Sequence, residues 1–333
     1  MTESIENIFS SKVATKILLH IGRRPYKEFY LNEISKELKI GLGRTNTLLE
    51  DFTKYKILIK RRSGNRLLYK LNENSGLSIK IIELANLDAF LKLPEVYRTA
   101  VSKFLKEYEN IIGENLVSIV IFGSVAKGTA NRWSDIDILV IIKGKAVKGL
   151  EDKLHEVFSK IMEIFSRVPE EHMYTQAEFQ EEYNIGNDFL VNIMSDGIVV
   201  YDRDFFNRFL IKGIPTVTRK TIENKLKFAR NWLDSAVEVY KRQPSLVAPQ
   251  LGVISIHISR ALLLLSSILP SSKHDIPKQL EGIGEFKFSK IYKKTREWWE
   301  NPPLDVDKEE VWRIINFLKE KHMECSRKLE GWS

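Results

Sequence analysis

Apolar positions in the first quarter of the chain recur at helical spacing and then switch to strand spacing. Val13, Ile17, Leu18 and Ile21 form one stripe, which predicts a helix over Ser11–Ile21 that Arg23-Arg24-Pro25 ends. Leu31, Ile34 and Leu38 predict a second, and Leu48, Leu49 and Phe52 a third over Arg44–Tyr55 after the turn Lys39–Gly43. Ile57–Arg62 and Arg66–Leu71 read as two strands joined by Ser63-Gly64-Asn65, a hairpin signal. Asn74-Ser75-Gly76 marks a boundary, followed by helices over Leu77–Phe90 and Pro94–Tyr108. Leu116–Phe122 is a β-branched apolar run, hence a buried strand, and Asp135–Ile142 is a second. A helix is expected over Leu150–Phe165, an extended stretch over Val168–Thr175, and helix, turn and strand over Phe189–Val200. Beyond residue 210 the pattern is helical: Thr218–Tyr240, Pro249–Leu269, a start at Asp275 and Pro277, and a last helix opened by Asp307 and Glu310 as a capping box.

Charge sharpens this outline. Residues 1–80 hold 16 Lys+Arg against 8 Asp+Glu, and residues 81–333 hold 36 of each, so the whole net charge of +8 lies in the first quarter. A polyanion-binding module fused to a neutral body accounts for that asymmetry. The single cysteine, Cys325, excludes an internal disulfide and a thiolate zinc cage, and it suits a reducing, cytoplasmic setting. The longest strongly apolar stretch, Ala261–Leu269, falls short of the ~20 residues of a membrane span.

Three helices followed by a basic hairpin resemble the winged helix-turn-helix family over about residues 8–75. That resemblance implies double-stranded DNA as a partner. Arg44, Thr45 and Asn46 would open the recognition helix, where base edges are reached, and Arg61, Arg62, Asn65 and Arg66 would line the wing. Lys54, Lys56 and Lys60 would supply phosphate contacts.

The chemical motif lies in the middle of the chain. Leu116–Phe122 runs into Gly123-Ser124-Val125-Ala126-Lys127-Gly128, and ten residues separate Ser124 from Asp135-Ile136-Asp137. Alternate residues of a strand share a face, so Asp135 and Asp137 point the same way and suit a hard divalent cation. Gly123 permits close approach of a phosphate, Ser124 offers a hydroxyl, and the following N–H groups point at an anion.

Gly-Ser-x-Ala-Lys-Gly followed by Ser134-Asp135-Ile136-Asp137 resembles the nucleotidyltransferase superfamily that includes DNA polymerase beta, in its minimal bacterial and archaeal branch, over about residues 93–205. It departs at Lys127, where the family usually carries Arg, which keeps the charge and loses the bidentate fork. The resemblance implies a mixed-sheet α/β core, an NTP substrate, ATP first, and Mg²⁺ or Mn²⁺ held by Asp135 and Asp137. Gly123, Ser124, Lys127 and Ser134 would bind nucleotide, and a third carboxylate would act as base or metal ligand. Glu171 is the candidate for that third carboxylate, with Glu170 beside it.

The C-terminal helices, with Lys273-His274-Asp275-Ile276, resemble HEPN domains, but the Arg–(four to six residues)–His pair of the HEPN ribonucleases is missing, so ribonuclease activity is not implied. Packing, formation of a homodimer or holding the acceptor are the roles left open to this bundle.

The expected organisation is therefore a winged helix-turn-helix domain over 1–75, a linker helix over 76–92, a nucleotidyltransferase α/β core over 93–210 and a helical bundle over 211–333. The expected activity is Mg²⁺-dependent transfer of NMP from an NTP to a hydroxyl acceptor, a protein among the options. The rivals are a DNA-binding regulator whose core senses a nucleotide, and an RNA 3′-end nucleotidyltransferase. The last is disfavoured by the neutral body.

Overall fold

The computed structural model describes residues 11–64, 66–130, 134–144 and 169–332. The helix expected over 150–165 and Asn65 lie outside the described residues. The chain divides into two compact units, Met1–Glu181 with Val191–Ile214, and Glu182–Leu190 with Pro215–Ser333.

The first unit opens with α1 (Lys12–Gly22), the short strand β1 (Phe29–Tyr30), α2 (Leu31–Leu38) and α3 (Leu42–Lys54), then the hairpin β2 (Leu58–Ser63) and β3 (Arg66–Leu71). Ser11 caps α1 by accepting from the Ala14 N–H. The predicted stripes face inward: Ile17, Leu18, Ile21, Ile34, Leu48, Leu49 and Phe52 are buried. The hairpin closes on Ser63↔Arg66 and β1 adds to the far edge of β3, an antiparallel pairing that the sequence pattern did not reveal. Helix α3 starts at Leu42, two residues before the expected Arg44, because Gly41 takes the N-cap position.

Two longer helices, α4 (Gly76–Leu91) and α5 (Glu95–Ile112), lead into a four-stranded mixed sheet. Its strands are β4 (Leu116–Phe122), β5 (Asp137–Ile142), β6 (Glu170–Thr175) and β7 (Ile198–Asp202), in the order β6-β5-β4-β7. Strand β4 is central, antiparallel to both β5 and β7, while β6 runs parallel to β5. The short helix α6 (Gly123–Lys127) follows β4 directly. One face of the sheet packs on α5: Ile119, Ile121, Ile136, Ile138, Val140 and Ile142 share a core with Phe104 and Tyr108. After α7 (Gln176–Ile185) and α8 (Asp188–Asp196), β7 ends at Asp202, whose half-buried carboxylate accepts from the Ser118 hydroxyl and from the N–H groups of Phe205, Phe206 and Asn207. That cap starts α9 (Phe206–Lys212), a helix too short to show in the apolar pattern.

The second unit is helical among the described residues. It contains α10 (Arg219–Arg242), α11 (Ala248–Leu265), α12 (Ile276–Gly282), α13 (Phe286–Glu300) and α14 (Lys308–Glu330). Leu251, Ile254, Ile258 and Leu262 of α11 sit in its core with Leu226, Leu233, Tyr292, Ile315 and Leu318. The segment Pro244–Leu265 is long and apolar enough to cross a membrane by length and composition, and 61% of its most apolar window is buried in this packing. Asp307 caps α14 by accepting from the Glu309 N–H. The capping box expected of Asp307 and Glu310 is only half made, since the Glu310 carboxylate pairs with Lys294 instead. A fully buried carboxylate, Asp188, is held between Lys225 at 2.5 Å and Arg260 at 2.6 Å.

Candidate active site

The end of β4 and the start of β5 are neighbours, with Phe122 paired to Asp137. Between them the chain turns at Gly123 (φ +70°) into α6 and leaves it at Gly128 (φ +71°). Gly123 is required twice over. Its φ lies in the left-handed region, and a Cβ there would stand 1.9 Å from Oδ2 of Asp137. The Asp137 carboxylate is therefore lodged against the bare backbone of the turn. Gly123→Ala is expected to displace that carboxylate rather than unfold the core. Stability should fall by about 1 kcal/mol from the backbone strain, and turnover by about a hundredfold from the misplaced carboxylate. Thermal melting beside a pyrophosphate-release assay checks both numbers.

The first aspartate is not on the strand as expected. Strand β5 begins at Asp137, and Asp135 stands on the extended approach to it, exposed, with buried Ile136 between them. Ser124 and Ser134 are half-buried near the two ends of the motif. Lys127 closes α6 and pairs with Asp196 at 3.3 Å.

The register of β6 sets the expected third carboxylate, Glu171, apart from Asp137. Glu171 pairs with Ile138, whose side chain faces the α5 core, so Glu171 lies on that face and accepts a hydrogen bond from the Tyr108 hydroxyl. It belongs to the opposite side of the sheet from Asp137. Burial pushes its carboxyl up to about 7. Its neighbour Glu170 pairs with Asp137 in the register, and the Glu170 N–H donates to the Ile136 carbonyl at 3.0 Å. Asp137 and Glu170 thus lie side by side at the starts of β5 and β6, with Asp135 two residues before Asp137 in the chain. His172, two residues on and so on Glu170's face, reaches Glu170 at 3.6 Å, with its ring 5.6 Å from that of Phe122.

A carboxyl whose folded value is raised binds its proton more tightly in the native state. Glu171 therefore costs stability progressively from the unfolded value near 4.3 up to about 7. Glu171→Gln is expected to leave turnover intact. It should raise stability at pH 8 by about 1–3 kcal/mol with little change at pH 4. Urea unfolding at the two pH values tests it.

Among the described residues, no three His, Cys, Asp or Glu side chains stand as placed within metal-binding reach of one another. The donor set nevertheless fits a hard cation that takes one or two carboxylates and fills its shell with substrate phosphates, because the Asp137 carboxylate lies against the open backbone of the turn.

In the N-terminal module, Arg44 and Asn46 are exposed near the start of α3, while Thr45 is not. Thr45 is fully buried and its hydroxyl donates to the Gly41 carbonyl, so it packs α3 and cannot reach a base edge. On the hairpin, Arg62 is exposed, Arg66 lies over the Tyr30 ring, and Arg61 is clasped by Glu28 through two hydrogen bonds. Lys60 is paired with Glu50.

Residues 100–236 match the nucleotidyltransferase domain family. The chain is 30% identical over 134 residues to a candidate protein adenylyltransferase of Methanocaldococcus jannaschii, an alignment covering 35% of this chain and 80% of that relative. Among solved structures, the spectinomycin adenyltransferase AAD(9) of Enterococcus faecialis with ATP and spectinomycin aligns at 15% identity. It covers 68% of this chain and 98% of that one, with a TM-score of 0.40. A toxin–antitoxin complex with AMP-PNP aligns at 18% identity over 41% of this chain and 96% of that one, with a TM-score of 0.25. With the Gly123–Gly128 turn and the Asp135–Asp137 pair on one corner of a mixed sheet, the chain belongs to the nucleotidyltransferase family and is an enzyme of that class.

Proposed function

We propose that this protein transfers a nucleoside monophosphate, AMP first, from a Mg²⁺-bound NTP to a hydroxyl acceptor, and that its N-terminal module is a winged helix that binds double-stranded DNA. The observation that carries the first part is the Asp137 carboxylate lodged against the Gly123 turn, with Glu170 beside it in the register. The α-helical start after Gly123 directs N–H groups at the triphosphate, Ser124 donates a hydroxyl, and Lys127 adds charge. Asp135 and Asp137 would hold Mg²⁺, which when bound neutralises the phosphates and orients them for in-line attack. The acceptor oxygen bonds to the α-phosphorus, the bond to the β-phosphate oxygen breaks, and pyrophosphate leaves. The acceptor's proton passes to Glu170, the carboxylate nearest Asp137 on the adjoining strand. The kinship with a candidate protein adenylyltransferase supports trying proteins among the acceptors.

The test is incubation with each α-labelled NTP and Mg²⁺, with and without cell extract. Label transferred from ATP to protein, RNA or a small molecule, with pyrophosphate released, supports the reading and names the acceptor class. Failure with all four nucleotides, together with undiminished nucleotide binding, favours the sensor alternative.

DNA binding rests on the local charge excess and on exposed Arg44, Asn46 and Arg62. Because Glu28 and Glu50 already pair with Arg61 and Lys60, the hairpin offers fewer free cations than its composition suggests. Reversing Arg44 and Arg62 to Glu should abolish duplex binding, and the wild type should lose affinity by roughly one power of salt concentration per phosphate contacted. A salt titration in which the reversal leaves the slope unchanged would assign the module to protein docking.

A further inference from the structure

The N-terminal module touches the C-terminal end of α8 through Arg23 and Tyr26. Helix α1 ends flush against α4: a Cβ on Gly22 would lie 2.8 Å from the Ile81 carbonyl oxygen and 2.9 Å from Cβ of Ala85. This close fit aims the next residue, Arg23, into the base of the sheet core. Its Nη1 donates to Oδ1 of buried Asn86 at 2.5 Å and to the Gly197 carbonyl at 3.1 Å, and its Nη2 to the Asp196 carbonyl at 3.4 Å. Asn86 is itself fixed, donating to the Ile82 carbonyl and accepting from the Val199 N–H. The Tyr26 hydroxyl donates to the Ser195 carbonyl at 3.4 Å. Three successive carbonyls at the C-terminal end of α8 are thus taken by two side chains of the N-terminal module.

An aspartate at a helix C-terminus opposes the helix dipole, and such carbonyls normally look to water. Here Asp196 stands between two cations. Arg23 grips its carbonyl from one side, and its carboxylate holds Lys127 from the other. Lys127 is the last residue of α6, the helix that opens at Gly123. An ammonium has three N–H donors, so a lysine tethered by one carboxylate keeps donors for a phosphate. Tethering also removes rotamer freedom that a free lysine would lose on binding nucleotide.

We propose that Arg23 is a positioning residue of the nucleotide site, fixing the end of α8 so that Asp196 holds Lys127 ready for the triphosphate. This rests on the reading of the Gly123–Gly128 turn as the phosphate site. It gives the N-terminal module a part in nucleotide binding.

The test is a double-mutant cycle read by calorimetric Mg²⁺–ATP affinity on the full chain, with wild type, Arg23→Lys, Lys127→Ala and the double variant. Arg23→Lys should weaken binding about five- to tenfold alone, and change it less than about twofold once Lys127 is gone. A merely structural arginine would weaken binding by the same factor in both backgrounds, and that result, or no effect in the wild-type background, overturns the proposal. Should Arg23→Lys fold poorly, Arg23→Gln, which keeps a donor toward the Asn86 and Gly197 oxygens, enters the same cycle with the same two outcomes. A wild type that binds no Mg²⁺–ATP overturns the phosphate-site reading and this proposal with it, whereas binding with additive effects overturns only the link.

Discussion

Asp137→Asn is expected to reduce nucleotidyl transfer by about a thousandfold or more while leaving the fold in place. Asn is nearly isosteric, and Asp137 begins β5 with its backbone register to Phe122 and Glu170 independent of its charge. What changes is the oxygen donor lodged against Gly123. Losing about 4 kcal/mol of electrostatic stabilisation of the transferring phosphoryl group corresponds to about three powers of ten in rate. Asp135→Asn and Glu170→Gln should fall in the same direction, and Glu171→Gln should not. Four proteins assayed for pyrophosphate release, with circular dichroism to confirm folding, separate the two glutamates cleanly. An active Asp137→Asn protein, or an inactive Glu171→Gln beside an active Glu170→Gln, would overturn the assignment of the site.

The one-residue shift between those glutamates shows where sequence reading works and where it stops. Strand β4 and helix α2 have the bounds their apolar patterns predict, since each buries a continuous run or a clean stripe. Strand β6 reads Glu-Glu-His-Met-Tyr-Thr and carries no such run. Its one aliphatic residue, Met173, packs against the α5 core, and strand parity then puts Glu171 on Met173's face and Glu170 with His172 on the other. That phase was present in the sequence as a single methionine. Thr45 carried a similar signal, standing three and four residues before Leu48 and Leu49 on the buried stripe of α3. The neutralisation of Lys60 and Arg61 by Glu50 and Glu28 left no such trace, because those pairs join segments 10 and 33 residues apart. Neither did the grip of Arg23 on α8, which spans more than 170 residues. Local period and strand parity are sequence properties; pairing between distant charges is a property of the packed chain.

The second unit carries the largest expected stability effect, at Asp188. This carboxylate is fully buried, with Lys225 and Arg260 both within 2.6 Å. Burial alone would raise its value, but the two cations outweigh that and hold it below the ordinary range. Asp188→Asn keeps the shape and removes the charge, leaving two cations buried without their counter-ion. Breaking a buried pair in this way costs about 3–5 kcal/mol, which for a unit of this size lowers its melting temperature by about 10–20 °C. The pH window of the response should also move, from the acid range to the alkaline side. In the wild type the depressed Asp188 contributes stability that is present above the unfolded value near 4 and is lost as pH falls below it. In the variant the dominant perturbed group is Lys225, whose value burial already lowers and which Asp188 no longer supports. A depressed lysine leaves the unfolded chain holding more protons, so the variant should gain stability as pH rises toward the unfolded value near 10.4. Hydrogen exchange in α10 and α11, followed from pH 5 to 9, reads this unit apart from the other. A variant whose protection falls by less than about tenfold, or fails to recover with rising pH, would mean that water reaches Lys225 and Arg260 and that Asp188 is not their necessary partner.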